Sequence, residues 1–270
     1  MMLSEGFTLV IPLYNKAKVV RNTLDSVLKN HGSYPFRCLI IDDDSTDGSS
    51  EIGEEYCMKY LDVFTYIKRK HVEEHKTPVF ARNLGIKLTE TKYIGFLDAD
   101  DELCEGFIDR ACTFLDNHPK YNGYYNKHII KDIGANGNIV TQVPLCDVDV
   151  NEVDFVTFIL KNGMTIHFCA GVYKTDLIQD CLFTDVICED SVFQLKYCYK
   201  HEPLYFDLKY SDSIIYNKKY SESKNWIRKK TDYPRNYEMY MEIEKEIPDI
   251  KYSFYLQENG KVGGIIKNNV

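Results

Sequence analysis

Two acidic runs hold most of the chemistry this chain can offer. Asp42-Asp43-Asp44-Ser45-Thr46-Asp47-Gly48 follows the apolar Cys38–Ile41, and Asp98-Ala99-Asp100-Asp101-Glu102 follows Tyr93–Leu97. A polar turn with a helix N-cap accounts for Asp47 or Ser49, because side-chain oxygens satisfy orphan amides at the positive end of a helix. It does not account for three consecutive carboxylates at the mouth of a buried strand, where like charges raise one another's pKa. In the second run, alternation along an extended chain puts Asp98 and Asp100 on the same side. Hard oxygen ligands so arranged suit Mg²⁺ or Mn²⁺ bridged to a diphosphate. An acidic loop capping a helix near Gly106 is the plainer alternative. Two such clusters at the ends of two strands imply one site for a metal and a polar or phosphorylated ligand. A third pair, Glu189-Asp190, opens the amphipathic segment Val192, Phe193, Leu195, Tyr197. It reads either as a helix start or as a carboxylate returned to the metal site as a general base.

These acids need a scaffold, and the apolar spacing supplies one. Phe7–Leu13 is a β-rich run, after which Val20, Leu24, Val27 and Leu28 fall on one face of a helix. Cys38–Ile41, Val63–Ile67 and Tyr93–Leu97 read as further strands. Ile52, Tyr56 and Tyr60, then Phe80, Leu84 and Leu88, then Phe107, Ile108, Ala111, Phe114 and Leu115 mark the helices between and after them. The alternation predicts an α/β fold with a mainly parallel sheet covered on both faces, whose ligands collect at the carboxyl ends of the strands. From about Asn122 the rhythm changes. Asn136-Gly137 is a hairpin signal between Tyr124–Ile130 and Ile139–Val143, and a mixed α+β region follows. The expected organisation is a ligand-binding half over 1–120, a second half bearing the third acidic pair over 121–215, and a helical extension over 216–270.

Composition narrows the partners. Thirty-three basic against forty-one acidic side chains give a net charge of -8, which argues against a generally basic nucleic-acid surface. The 44% hydrophobic and 27% charged content is that of a folded globular chain. Its longest apolar runs fall far short of the roughly 18 residues that span a bilayer, and the N-terminus lacks a cationic leader, so a cytoplasmic location is expected. The nine cysteines are odd in number and form no CxxC. Cys38, Cys112, Cys169 and Cys198 lie in apolar stretches, as buried reduced thiols do. Trp226, Ile227, Arg228, Lys229 and Lys230 suit a packed helix or a peripheral contact with the inner membrane face. The stretch YNKKYSESKN at 216–225 is either a solvated tail or a loop that closes over a diphosphate.

Taken in order, FTLVIPLYNK, LIIDDDSTDGS, ARNLGI, YIGFLDADDEL and ICEDSVF resemble the motif series of the family 2 glycosyltransferases with a GT-A fold, over roughly residues 6 to 200. The resemblance implies a nucleotide-diphosphate-sugar donor such as a UDP-sugar, a divalent metal and inversion at the anomeric carbon. It further implies hexosyl or N-acetylhexosaminyl transfer to a saccharide or lipid-linked acceptor, in surface polysaccharide biosynthesis. By position it places Pro12, Tyr14 and Asn15 beside the nucleotide, Asp43 on the uracil edge with Asp42 as its neighbour, and Arg82 in the nucleotide pocket. Asp98 falls near the ribose and metal, Asp100 on the metal, and Asp190 at the catalytic base. Asp44 stands where the family usually has Gly, and His167-Phe168-Cys169-Ala170-Gly171 replaces its usual Trp-Asn-Lys-Leu.

Other classes compete less well. A DxD phosphohydrolase generally has Thr or Val after the second Asp, where Asp101 stands here, and leaves the first acidic run unexplained. A nucleotidyltransferase lacks its Gly-rich loop after the first strand. A non-catalytic sugar-nucleotide-binding partner subunit has no need of the full set of acids.

Overall fold

Strand and helix alternate through the first 120 residues, as the apolar spacing predicts. In the computed structural model they are β1 (Ser4–Leu13), α1 (Val20–Leu28), β2 (Phe36–Asp42), α2 (Ser49–Lys59), β3 (Phe64–Lys68), α3 (Val79–Leu88), β4 (Thr91–Phe96), the short β5 (Glu102–Leu103) and α4 (Phe107–Asn117). The structure describes residues 3–30, 32–70, 77–133, 139–142, 167–186, 189–207, 214–217, 245, 251–256 and 262–267. In the second half lie β6 (Gly123–Asn126), β7 (Ile129–Ile133), β8 (Ile139–Gln142), a 3-10 turn at Phe168–Ala170, β9 (Gly171–Lys174), α5 (Thr175–Ile178), α6 (Glu189–Lys200), β10 (Tyr205–Asp207), β11 (Ile214–Asn217), β12 (Lys251–Leu256) and β13 (Val262–Lys267).

The large sheet has the order β10-β6-β9-β4-β1-β2-β3. Its β4-β1-β2-β3 part is parallel, and β9 pairs antiparallel with both β4 and β6. Central position explains the largely apolar run of β1: Phe7, Leu9, Val10, Ile11 and Leu13 are buried between two neighbours and two helical layers. Each such side chain stabilises the fold by about 1.5–3 kcal/mol relative to leaving it exposed. Val20, Leu24 and Val27 bury the face of α1 that their spacing marks.

Helix α3 turns a different face inward than its Phe80, Leu84, Leu88 stripe predicts. Val79, Arg82, Gly85 and Ile86 are buried, whereas Phe80 and Leu88 are exposed. The reason is close approach. A Cβ on Gly85 would lie 2.4 and 2.7 Å from the two methyls of Val10, so only glycine lets the helix backbone rest on β1. Gly85→Val is expected to cost about 3 kcal/mol, the upper end for overpacking. Urea unfolding checks it as a lower midpoint at an unchanged m-value.

A knot of aromatic rings packs α6 and the segment before it against the sheet. Phe183 and Phe193 stack at 4.0 Å, and Phe96 meets Phe183 edge-on at 5.2 Å. Phe168 and Tyr173 close the same cluster. This fixes the start of α6 near the end of β4, a contact across almost a hundred residues of chain. The Asn136-Gly137 signal lies outside the described residues, and the expected antiparallel pairing forms between β7 and β8, with Ile133 opposite Ile139. Its first strand is shorter than predicted, because Tyr124 and Tyr125 belong to β6 in the large sheet and Lys127-His128 separate β6 from β7. A second sheet, β5-β11-β7-β8, takes up that pair.

The expected helical extension needs correction. Past Asn217 the described residues are helical only at Lys245, and 251–267 carries the antiparallel pair β12–β13. KYSFYL is rich in aromatic β-formers and is separated from VGGIIK by Asn259-Gly260, the strongest short hairpin signal. The Trp226–Lys230 segment and most of 216–225 lie outside the described residues. Among the described residues no helix is long and apolar enough to cross a membrane. Cys38, Cys112, Cys169 and Cys198 are buried, as their apolar surroundings predict.

Candidate active site

The strand order 3-2-1-4 reverses between β1 and β4, and the crevice outside such a switch point is where open α/β sheets bind ligands. Both acidic runs border it. The Lys16 ammonium, just after β1, bridges the crevice to the Asp100 carboxylate at 3.0 Å. Helix α1 ties down the far rim: Thr23 Oγ1 donates to the Ala99 carbonyl at 2.9 Å, and Leu103 N–H donates to Ser26 Oγ at 2.8 Å.

In the first run the three consecutive acids have three separate fates. Asp42 is fully buried and accepts from Ser45 N–H at 2.9 Å, Ser50 Oγ at 2.5 Å and Tyr66 OH at 2.5 Å. Its oxygens are committed to joining β2, α2 and β3, so the expectation that it serves the nucleotide is corrected to a structural role. Asp43 forms an ion pair with Arg69, from the end of β3. Asp44 takes a positive φ of 64°, a conformation that favours glycine; Asp tolerates the left-handed region better than most residues. Asn15, also at positive φ, accepts from Thr46 N–H at 2.8 Å while its own N–H donates to Ser45 Oγ at 3.0 Å. The two loops are thus stitched into one wall. Tyr14 is exposed at its rim, and Pro12 lies within β1 opposite Ile41.

The second run is a turn, not an extended strand: Asp101 N–H donates to the Asp98 carbonyl at 3.0 Å. That bend brings oxygens of Asp98 and Asp101 and a ring nitrogen of His167 within 4.8 Å of one another. Two carboxylates and an imidazole form a donor set that suits Mn²⁺. Burial and the coulombic influence of Asp98 drive the pKa of His167 in opposite directions; burial dominates, so the ring is lowered and held neutral, as a ligand must be. Asp100 faces Lys16 instead. Burial, and then Asp98, push its carboxyl above the usual range despite the ammonium. A group raised in this way favours the fold when protonated and loses that contribution as pH rises through its folded pKa. Asp100→Asn in chelator should therefore melt higher than the parent at pH 7, with the gap closing as pH falls through the carboxylate range. A thermal scan at several pH values measures this.

Arg82 joins the acidic turn to the third acidic pair. Its guanidinium is 3% exposed, donates to Asp98 Oδ1 at 2.8 Å and to Glu189 Oε1 at 2.7 Å, and lies 4.4 Å from the Phe168 ring centre. The resemblance places it in the nucleotide pocket; in the structure its guanidinium braces Asp98 to Glu189. Burial raises the Glu189 carboxyl and Arg82 only partly offsets this, with Asp190 adding to the rise. With Glu189 turned inward, Asp190 accepts from Ser191 N–H at 2.7 Å at the first turn of α6. Asp98 and Asp190 both act on the His167 ring in the direction opposite to burial.

Lys16, Arg69 and His167 lie outside the acidic runs, and Asp101 lies within the second run without being singled out there. Lys16 sits inside the first segment of the motif series and Asp101 adjoins the DxD, whereas His167 opens the segment that departs from the family's usual Trp-Asn-Lys-Leu. Arg69 had only the Lys68-Arg69-Lys70 charge run to mark it.

The comparisons agree with this geometry. A family model for glycosyl transferase family 2 matches residues 8–172, from β1 through the start of β9. The minor teichoic acid biosynthesis protein GgaB of Bacillus subtilis is 32% identical over 42% of this chain and 12% of its own length. The poly(ribitol-phosphate) beta-N-acetylglucosaminyltransferase TarS of Staphylococcus aureus is 29% identical over 70% of this chain, which spans 32% of TarS. A crystal structure of TarS 1-349 with UDP-GlcNAc superposes with a TM-score of 0.65 at 21% identity, covering 90% of this chain and 66% of that one. The mannosyltransferase PcManGT of Pyrobaculum calidifontis, bound to GDP-Man and Mn²⁺, gives 0.63 at 14% identity over 90% and 65%. At such identities the superpositions establish the fold, which is GT-A. With the ordered motifs, the acids at the switch point and a family model spanning most of the chain in agreement, this chain belongs to glycosyl transferase family 2.

Proposed function

We propose that the chain transfers an N-acetylhexosaminyl or hexosyl group from a uridine-diphosphate sugar to an acceptor hydroxyl, with inversion, in the assembly of a surface glycopolymer. One observation carries this reading. Through Arg82, the acidic turn after β4 and the Glu189-Asp190 start of α6 form a single site at the sheet's switch point. The UDP-GlcNAc bound to TarS and the polyol-phosphate acceptor in its name support the choice of donor and acceptor class.

In this mechanism Asp190 takes the proton of the acceptor hydroxyl as that oxygen attacks the anomeric carbon from the face opposite the diphosphate. Asp98, Asp100, Asp101 and His167 would hold Mn²⁺ or Mg²⁺, which when bound supplies Lewis-acid neutralisation of the departing diphosphate. Lys16, released from Asp100, becomes available to a phosphate oxygen. Asp43 accepts the uracil N–H, with Arg69 fixing its orientation, while Pro12, Tyr14 and Asn15 border the nucleotide.

Calorimetry with UDP, UDP-GlcNAc and GDP-mannose, each in Mn²⁺ and in chelator, tests the proposal. Uridine ligands should bind more tightly than GDP-mannose, and Mn²⁺ should strengthen them in the parent but not in Asp100→Ala. Equal UDP affinity with and without the ion would count against a metal-assisted site. Asp43→Ala should weaken UDP by about 1–3 kcal/mol, the cost of an unpaired buried donor.

A further inference from the structure

The segment bearing Glu189-Asp190 is closed at its base by three side chains that the transfer chemistry does not use. Asp180 and Cys181 follow α5, and His201 follows α6. Oxygen, sulfur and ring nitrogen of these residues lie within 4.8 Å of one another. Asp180 Oδ1 is 3.0 Å from His201 Nε2, Cys181 Sγ is 3.6 Å from the same Nε2, and Sγ is 3.4 Å from Oδ1.

Two functions compete for a Cys-His-Asp group. A nucleophilic relay uses both ring nitrogens, one toward the thiol and one toward the acid. Here the thiol and the carboxylate both face Nε2, and Cys181 is fully buried, out of reach of a substrate. A triangle of converging donor atoms is instead what a small cation gathers. Around a tetrahedral zinc ion, with bonds of about 2.3 Å to sulfur and about 2.0–2.1 Å to nitrogen and oxygen, ligand atoms stand about 3.3–3.6 Å apart. The observed edges of 3.0, 3.4 and 3.6 Å need only a slight widening between Asp180 and His201.

We infer that Asp180, Cys181 and His201 form a three-ligand site for a zinc-class divalent cation, with water as the fourth ligand. Charge balances: binding sends the thiol proton to solvent, and one thiolate, one carboxylate and a neutral imidazole then match a 2+ ion. The Asp180 side chain is 61% exposed, against 12% for His201, so the ion enters and the water sits on the Asp180 side. The backbone already holds the ligands in place. Cys181 N–H donates to the Ile178 carbonyl, His201 N–H to the Tyr197 carbonyl, and Lys200 Nζ to the Asp180 carbonyl. A bound ion clips residue 181 to residue 201, the two ends of the stretch that carries the base at Asp190, and so stiffens the catalytic element from outside the donor site.

Cobalt titration of the 270-residue chain under a non-chelating phosphine reductant tests the site. Co²⁺ should produce a sulfur-to-cobalt charge-transfer band that saturates near one equivalent, is displaced by Zn²⁺, and is lost in Cys181→Ser. An ion held by Asp98, Asp100, Asp101 and His167 has no sulfur ligand and makes no such band. Because Cys181 is buried, Asp180→Asn at the exposed ligand is the second variant. It should fold as the parent does, weaken Co²⁺ at least about tenfold and lose the Zn²⁺-dependent rise in melting temperature. Absence of the band in the parent, its survival in Cys181→Ser, or an unchanged Co²⁺ affinity in Asp180→Asn would overturn the assignment, whether or not the transferase reading holds.

Discussion

Asp190→Asn is expected to slow sugar transfer by at least about 100-fold, the low end for a lost general base, while UDP and metal affinity stay within a few-fold of the parent. The asparagine can still accept from Ser191 N–H, which holds Asp190 Oδ1 at 2.7 Å, but it cannot take a proton from the acceptor. Glu189 cannot substitute, because its carboxylate is bound to the buried Arg82 guanidinium. The measurement is single-turnover transfer from UDP-GlcNAc beside calorimetric UDP binding on the same preparation. An unchanged rate would remove Asp190 from the mechanism, and a collapse of UDP binding would reassign it to the nucleotide or the fold. Glu189→Gln should behave differently, with its main loss in melting temperature rather than in the chemical step.

The second large effect falls on stability. Arg82→Ala should cost about 3–5 kcal/mol, the range for breaking a buried ion pair from one side. It strands Asp98 and Glu189 together in a site that was balanced by one guanidinium, and it removes the cation that lies over Phe168. Arg82→Lys should recover only part, because a single ammonium cannot reproduce the planar fork that reaches both carboxylates. Urea unfolding of Arg82→Ala, Glu189→Gln and the double variant measures the coupling. If Arg82 acts as the brace described, the double variant loses clearly less than the sum of the two singles. Simple additivity would show that the two residues work independently.

Much of this protein is legible along the chain. The periods of Phe7–Leu13, Val20–Leu28 and Tyr93–Leu97 locate strands and helices, and the acids stand just past the strands, where a parallel sheet opens to ligands. Those are local properties: a run or a spacing is visible within ten residues, and the position of a carboxylate at a strand end follows from it. The motif order adds the family. The contacts that divide roles among the acids are not local. Asp42 is structural while Asp43 faces Arg69 because Tyr66 and Ser50 reach the first and not the second. Arg82 meets Glu189 across 107 positions, and His167 joins Asp98 and Asp101 only because the aromatic packing around Phe96 and Phe168 brings it there. The buried face of α3 turns on whether Val10 leaves room for a Cβ at Gly85, which no helical period encodes. Sequence alone thus determined the order of the elements, the location of the acids and the family. Tertiary structure decided which oxygen each acid presents and to what, because hydrogen bonds and ion pairs are set by distances of a few ångströms between residues that the chain separates by dozens.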